Sequence, residues 1–268
     1  MTAPASPAGL KPATLKELAR RLHDAAVSRT QIAQLTDEHP DLSAADAYAI
    51  QDELRALHLA AGAAPVGMKL GLTSRVKQDE MHVHEPIHGF LSDRMALEPG
   101  EPLAVESLGQ PRVEPEIAFL LHRALAGPAV TTVHVLAATE AVFPALDILD
   151  SRYRDYRFTL PDVVADNASG ARFAIGGAAL SVGFDLSEVG CVLEKNGELM
   201  ATAAGAAVLG HPARAVAWLV RRLAASGRGL HAGDLVLSGG LTTVVRVGPG
   251  DVVTASFGRI GSVTLACH

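Results

Sequence analysis

Apolar residues at Leu15, Leu18, Leu22 and Ala26 recur every three to four positions, and this period predicts a helix from Thr14 to about Ser28. A second helix is predicted from Ser43 to about Ala61, with Asp46 as capping-box partner of Ser43 and Gly62–Pro65 as its end. Beyond Val66 the texture changes to short apolar runs punctuated by glycine. These read as strands at 66–70, 112–121, 142–150, 190–195, 198–204, 234–238, 243–247, 251–257 and 260–266. Asn196-Gly197 lies between two such runs and signals a tight hairpin, since both residues tolerate positive φ. One more helix is marked at Pro212–Ala225, with proline in its first turn and Gly227 just past its end. The expected organisation is a flexible tail over 1–12, a helical region over 13–62 and a β-rich catalytic domain over 63–268. The fold class is α+β, with one mixed, glycine-rich β core.

Composition narrows the function classes. Hydrophobic residues make up 49% of the chain and charged ones 19%, the balance of a compact globular protein. A formal charge of −6 and the lack of a Lys/Arg cluster argue against a nucleic-acid surface. Cys191 and Cys267 form no Cys-x-x-Cys pair and read as packing residues in a reducing compartment. No apolar run reaches the roughly 18 residues of a membrane span, and the first residues lack the regions of a signal peptide. The expectation is a soluble, cytoplasmic protein.

The chemistry concentrates in carboxylates. In Arg112-Val113-Glu114-Pro115-Glu116-Ile117, residues two apart share a strand face, so Glu114 and Glu116 point the same way. Two such acids repel unless they are solvated, protonated or bridged by a cation. A hard divalent ion suits oxygen ligands; an exposed edge strand, which Pro115 favours, is the alternative. Phe143–Asp150 is another apolar run carrying acids that a buried strand does not tolerate unpaired. Asp147 is the candidate third ligand, whereas Asp150 reads as a structural partner of Arg152 or Arg154. Lys69, inside the apolar run Val66–Leu70, needs a compensating acid or a chemical task. His82, His84 and His88 read as a polar loop in preference to a zinc site, and Trp218 reads as core.

With these pieces in place, the chain resembles the 2-keto-4-pentenoate hydratase / 4-oxalocrotonate decarboxylase family of the fumarylacetoacetate hydrolase-like superfamily. The resemblance runs from about Thr30 to the C-terminus. It rests on Gly67-Met68-Lys69-Leu70-Gly71-Leu72-Thr73-Ser74, Gly89–Met95, Arg112–Ile117, Pro144–Asp150, Asp166-Asn167-Ala168-Ser169 and Gly239-Gly240-Leu241-Thr242. Ser151–Asp162 and Gly89–Met95 look more like the decarboxylase branch. The resemblance implies Mg²⁺ or Mn²⁺ held by Glu114, Glu116 and Asp147, the last a departure from the Glu common there in hydratases. It implies Lys69 near the substrate, Asp93 as an acid/base candidate that equally suits a turn cap, and Leu72 as a substrate contact. Ser169 and Thr242 would donate hydrogen bonds to substrate oxygens, and Arg154 or Arg157 would bind a second carboxylate or form surface salt bridges. The implied reaction is decarboxylation of a small 2-oxo dicarboxylate, 2-oxo-3-hexenedioate, to 2-hydroxypenta-2,4-dienoate and CO₂ in meta-cleavage aromatic catabolism. Hydration of that dienoate is the alternative within the family. A homo-oligomer, a complex with a matching hydratase, and a non-catalytic role stabilising such a hydratase are further implications.

Overall fold

The structure is a computed structural model that describes residues 9–80, 83–177 and 179–268. Three helices come first: α1 (Pro12–Ser28), the single-turn α2 (Leu35–Glu38) and α3 (Ala44–Ala60). Ser43 caps α3 as the pattern predicts, its side chain and that of Asp46 each taking the other residue's backbone amide. The chain continues through β1 (Pro65–Gly71), α4 (Arg75–Glu80), β2 (Ile87–Ser92), β3 (Ala96–Leu97), β4 (Arg112–Leu121) and β5 (Leu125–Ala126). Then come α5 (Thr132–Ala138), β6 (Thr139–Leu149), α6 (Leu160–Ala165), β7 (Gly170–Ile175), β8 (Gly190–Lys195) and β9 (Glu198–Ala204). The remainder is α7 (Pro212–Ala224), β10 (Gly229–Leu230), β11 (Leu235–Leu237), β12 (Val245–Arg246), β13 (Val252–Phe257) and β14 (Gly261–Ala266).

The large sheet runs in the order β2-β1-β11-β4-β6-β7-β3, with β12 also pairing β4. It curls until β2 approaches the turn before β7. There the Asn167 side chain accepts from the Phe90 amide at 2.7 Å and donates to the Phe90 carbonyl at 3.1 Å. One amide side chain thus stands in for a strand and closes the seam. Val113, Ile117, Phe119, Leu146 and Ile148 face outward and pack with α7 and the four-stranded sheet β14-β13-β8-β9. Residues of opposite parity (Ala118, Ala145, Phe173 and Leu237) belong to a second apolar cluster, shared with Leu18, Leu22, Ile50 and Leu54 of the helices. Asn196 (φ 55°) and Gly197 (φ 80°) make the predicted hairpin between β8 and β9.

Several expectations change. β2 and β7 escaped the sequence pattern because every residue of β2 and four of the six in β7 are buried, with no strict alternation to read. Pro115 lies on a central strand, not at an edge. Its neighbour strand is interrupted there: β11 ends at Leu237 and β12 begins at Val245. Leu241 N–H donates to the Pro115 carbonyl across that gap, where a strand N–H from residue 115 is not needed. Trp218 is half-buried: it packs against the core cluster and also lines a groove. His88 is a buried strand residue stacked on Tyr48 at 4.4 Å and held neutral by burial, with a pKa near 3. His84 is exposed, and His82 lies outside the described residues.

Candidate metal centre

The register of β4 against β6 sets Glu114 directly opposite Asp147, with Glu116 two residues along the same face. All three side chains point into the curled sheet and are buried, Glu116 and Asp147 completely. One oxygen from each lies within 4.8 Å of the others, the sole such acidic group among the described residues. Burial, then the Asp147 and Glu114 charges, push Glu116 well above the usual carboxylate range. Burial raises Asp147 to about 6, against the pull of Lys69. Gly239 N–H donates to Glu116 Oε2 at 2.6 Å, while Glu116 Oε1 and both Asp147 oxygens lack an aligned hydrogen-bond donor. Three converging acids, two of them with orphaned oxygens, fit a hard divalent cation.

Two lysines face this cluster. Lys69 crosses from β1 to lie 2.6 Å from Asp147 Oδ2 and donates to the Ala168 carbonyl at 3.0 Å. Lys69 Nζ is the charge partner of Asp147 Oδ2, and Asp147 Oδ1 keeps its acceptor capacity. Lys77, on α4, pairs with Glu114. Burial pulls Lys77 down, but Glu114, with Glu116 and Asp147, more than offsets this, and the net shift is upward. The Gly239-Gly240 pair makes this possible. A Cβ at Gly240 would stand 2.0 Å from Glu114 Oε2 and 2.6 Å from Lys77 Nζ, and Gly239 has φ 101°.

Other candidates fall around the site unevenly. Ser169, beside Ala168, is buried with an orphaned hydroxyl, as are Thr73 and Ser238 next to the Leu72 and Gly239 turns. Leu72 is half-buried with φ 54°, a left-handed conformation that a leucine adopts only when its surroundings enforce it. Thr242 is buried on the rim of a groove shared with Lys77, though its hydroxyl is turned to the Thr243 carbonyl. Asp93 is exposed past the end of β2, and its carboxylate accepts from the Ala64 and Arg94 amides, a turn cap. Arg154 and Arg157 are exposed and enter no ion pair among the described residues. Asp150 corrects its expected pairing: it accepts from the Gly109 and Gln110 amides, while the Arg152 side chain pairs with Asp166 and reaches the Asp150 carbonyl.

Lys77 and Arg112 are two further charged residues on this side of the sheet that were not among the sequence candidates. Arg112 shares the Glu114–Glu116 parity and lies over the Tyr156 ring, 3.6 Å from its centroid. Its position two before Glu114 was signal enough; Lys77 had none, because its approach depends on where α4 packs.

Comparison with known proteins agrees with this geometry. Residues 58–266 match the family described as Fumarylacetoacetate (FAA) hydrolase C-terminal. The chain is 42% identical over 248 residues to 4-oxalocrotonate decarboxylase of Pseudomonas sp. (strain CF600), covering 92% of this chain and 94% of that protein. It is likewise 42% identical over 255 residues to 2-keto-4-pentenoate hydratase of Paraburkholderia xenovorans (strain LB400), covering 95% of each. The solved structure of 4-oxalocrotonate decarboxylase from Pseudomonas putida G7, complexed with magnesium and adipate, superposes with a TM-score of 0.94. It is 39% identical, and the match covers 97% of this chain and 99% of that one. No helix among the described residues is long and apolar enough to cross a membrane. A curled sheet closed around three acids, matched along most of its length, makes this chain a member of the fumarylacetoacetate hydrolase family, within its decarboxylase and hydratase group.

Proposed function

We propose that the chain decarboxylates 2-oxo-3-hexenedioate to 2-hydroxypenta-2,4-dienoate and CO₂, with Glu114, Glu116 and Asp147 holding Mg²⁺ or Mn²⁺. The observation that carries the reading is the buried triad of acids facing Lys69, with orphaned oxygens on Glu116 and Asp147. When bound, the cation supplies Lewis acidity that stabilises negative charge developing on the 2-oxo group. The bond between C5 and the departing carboxylate breaks, and its electron pair moves through the alkene toward the 2-oxo oxygen. Lys69 donates a hydrogen bond and then a proton at that oxygen, which yields the dienol. Ser169 and Thr242 orient substrate oxygens, and Leu72 gives the carbon chain an apolar wall. Arg112, braced by Tyr156, orients the departing carboxylate at the mouth; exposed Arg154 and Arg157 attract the dianion. The preference for decarboxylation is supported by the near-complete match to a decarboxylase structure.

Hydration of 2-hydroxypenta-2,4-dienoate is the second reading, favoured by an equal 42% identity to a hydratase. Under either reading the protein works in the cytoplasm as a homo-oligomer that associates with the complementary enzyme. The test is CO₂ release from metal-stripped protein given 2-oxo-3-hexenedioate, with and without added Mg²⁺ or Mn²⁺. Metal-dependent release supports the proposal. Its absence from folded, metal-loaded protein that converts the dienoate to 4-hydroxy-2-oxopentanoate establishes the hydratase. Inactivity on both substrates, with partner binding retained, leaves the stabilising role.

A further inference from the structure

A second cavity, of about 330 Å³, lies outside the curled sheet, between helices α1 and α3 and the seam where β2 meets β7. Asn167 and Gly170 line it, whereas Lys69, Glu114, Glu116 and Asp147 do not; Lys69 Cδ comes within 3.0 Å of where a Cβ at Gly170 would stand. Arg94 and Arg172 enter it with no acidic partner among the described residues; the one hydrogen bond of the Arg172 side chain is to the Ala171 carbonyl. His23 and His58 stand on the helical wall, 5.9 Å apart, with His58 set edge-on to Phe90 at 5.2 Å. Ser92 lines the cavity while 1% exposed, and its hydroxyl has no hydrogen-bond partner. The only acid on the wall, Asp150, is already taken up by the Gly109 and Gln110 amides. Arg152 is likewise committed, to Asp166.

We infer that this cavity is a binding site for a small organic dianion, separate from the metal centre. Two uncommitted guanidiniums and an orphaned buried hydroxyl match the needs of paired oxyanion groups. Leu22, Ala26, Leu54 and Met95 supply an apolar wall against which a short carbon chain packs. The positive potential registers on His58: burial, then His23, Arg152, Arg172 and Arg94, hold it down to about 4. A neutral His58 keeps one ring nitrogen as a donor without adding charge. The inference does not depend on which reaction the metal centre performs.

The test titrates glutarate and inorganic phosphate, separately, into the full chain after metal stripping and desalting. Metal-dependent chelation is then silent. Calorimetry is expected to show one site for at least one of these anions; the tighter of the two identifies its head group as carboxylate or phosphate. Arg94→Gln and Arg172→Gln should each weaken binding about tenfold or more. Glu116→Gln, inside the sheet, should change it less than twofold. Arg94 is exposed, so its replacement leaves the fold in place even if Arg172→Gln does not. Absence of binding by the wild type, or binding lost with Glu116→Gln and kept with Arg94→Gln, overturns the inference.

Discussion

Replacing Lys69 by Met removes the ammonium in contact with Asp147 and leaves a fully buried carboxylate with only the more distant Lys77 charge to offset it. Breaking a buried ion pair from one side costs about 3–5 kcal/mol. An independent ceiling comes from protonation: neutralising an acid of ordinary pKa 3.8 at pH 7.5 costs about 5 kcal/mol, and the variant pays no more than that. At roughly 2 °C for each kcal/mol in a chain of this size, the metal-free variant should melt about 6–10 °C lower at pH 7.5. The sign of the pH effect follows from the raised folded-state pKa. An acid that holds its proton more tightly when folded loses stability as pH rises from its unfolded pKa through its folded one, and regains it as pH falls. Loss of Lys69 raises the folded value further above 6. At pH 5 the ceiling drops to under about 2 kcal/mol, so the deficit should shrink accordingly. Thermal melts of wild type and variant at both pH values, in EDTA and then in Mn²⁺, read this directly. Added Mn²⁺ should recover part of the loss, because the cation replaces the missing charge. A deficit below about 1 kcal/mol at pH 7.5, or one equally large at pH 5, would refute the reasoning.

Three further outcomes follow from the same geometry. Divalent-metal affinity of the wild type should fall as pH drops through about 6, because Asp147, and Glu116 whose carboxyl is also pushed up by burial, must lose protons to bind; Mn²⁺ titration across pH 5–8 checks it. Gly240→Ala should cut metal affinity and activity about tenfold or more with a smaller effect on melting. The new methyl displaces only the ends of Glu114 and Lys77, but those ends belong to the proposed metal site. Asn167→Ala should cost about 2–4 kcal/mol in denaturant unfolding, since it strands the Phe90 amide and carbonyl at the closing seam; an unchanged midpoint would show that the seam closes without it.

Much of the architecture was legible because it rests on local rules. The Ser43–Asp46 capping box, the Asn196-Gly197 hairpin and strands 112–121, 190–195 and 198–204 appear where periodicity and turn chemistry predict them. The buried strands β2 and β7 did not, since a segment enclosed on both faces has no alternation to read. Arg154 and Arg157 were attractive as charges near a family motif, yet a turn with Asp155 at φ 56° and Tyr156 at φ 58° leaves both exposed and brings Tyr156 onto Arg112.

By itself the sequence determined that Glu114 and Glu116 share a face, because a strand alternates with period two wherever it lies. It also determined that acids and a lysine inside apolar runs need one another or a cation, because water is excluded from such runs. Only the tertiary structure decided which groups meet. Asp147 opposes Glu114 through the β4–β6 register, Lys69 reaches Asp147 because the sheet curls, and Lys77 arrives on a separate helix. Those contacts span 33 to 78 positions of the chain, too far for any local preference, and are set by how the sheet closes around its interior.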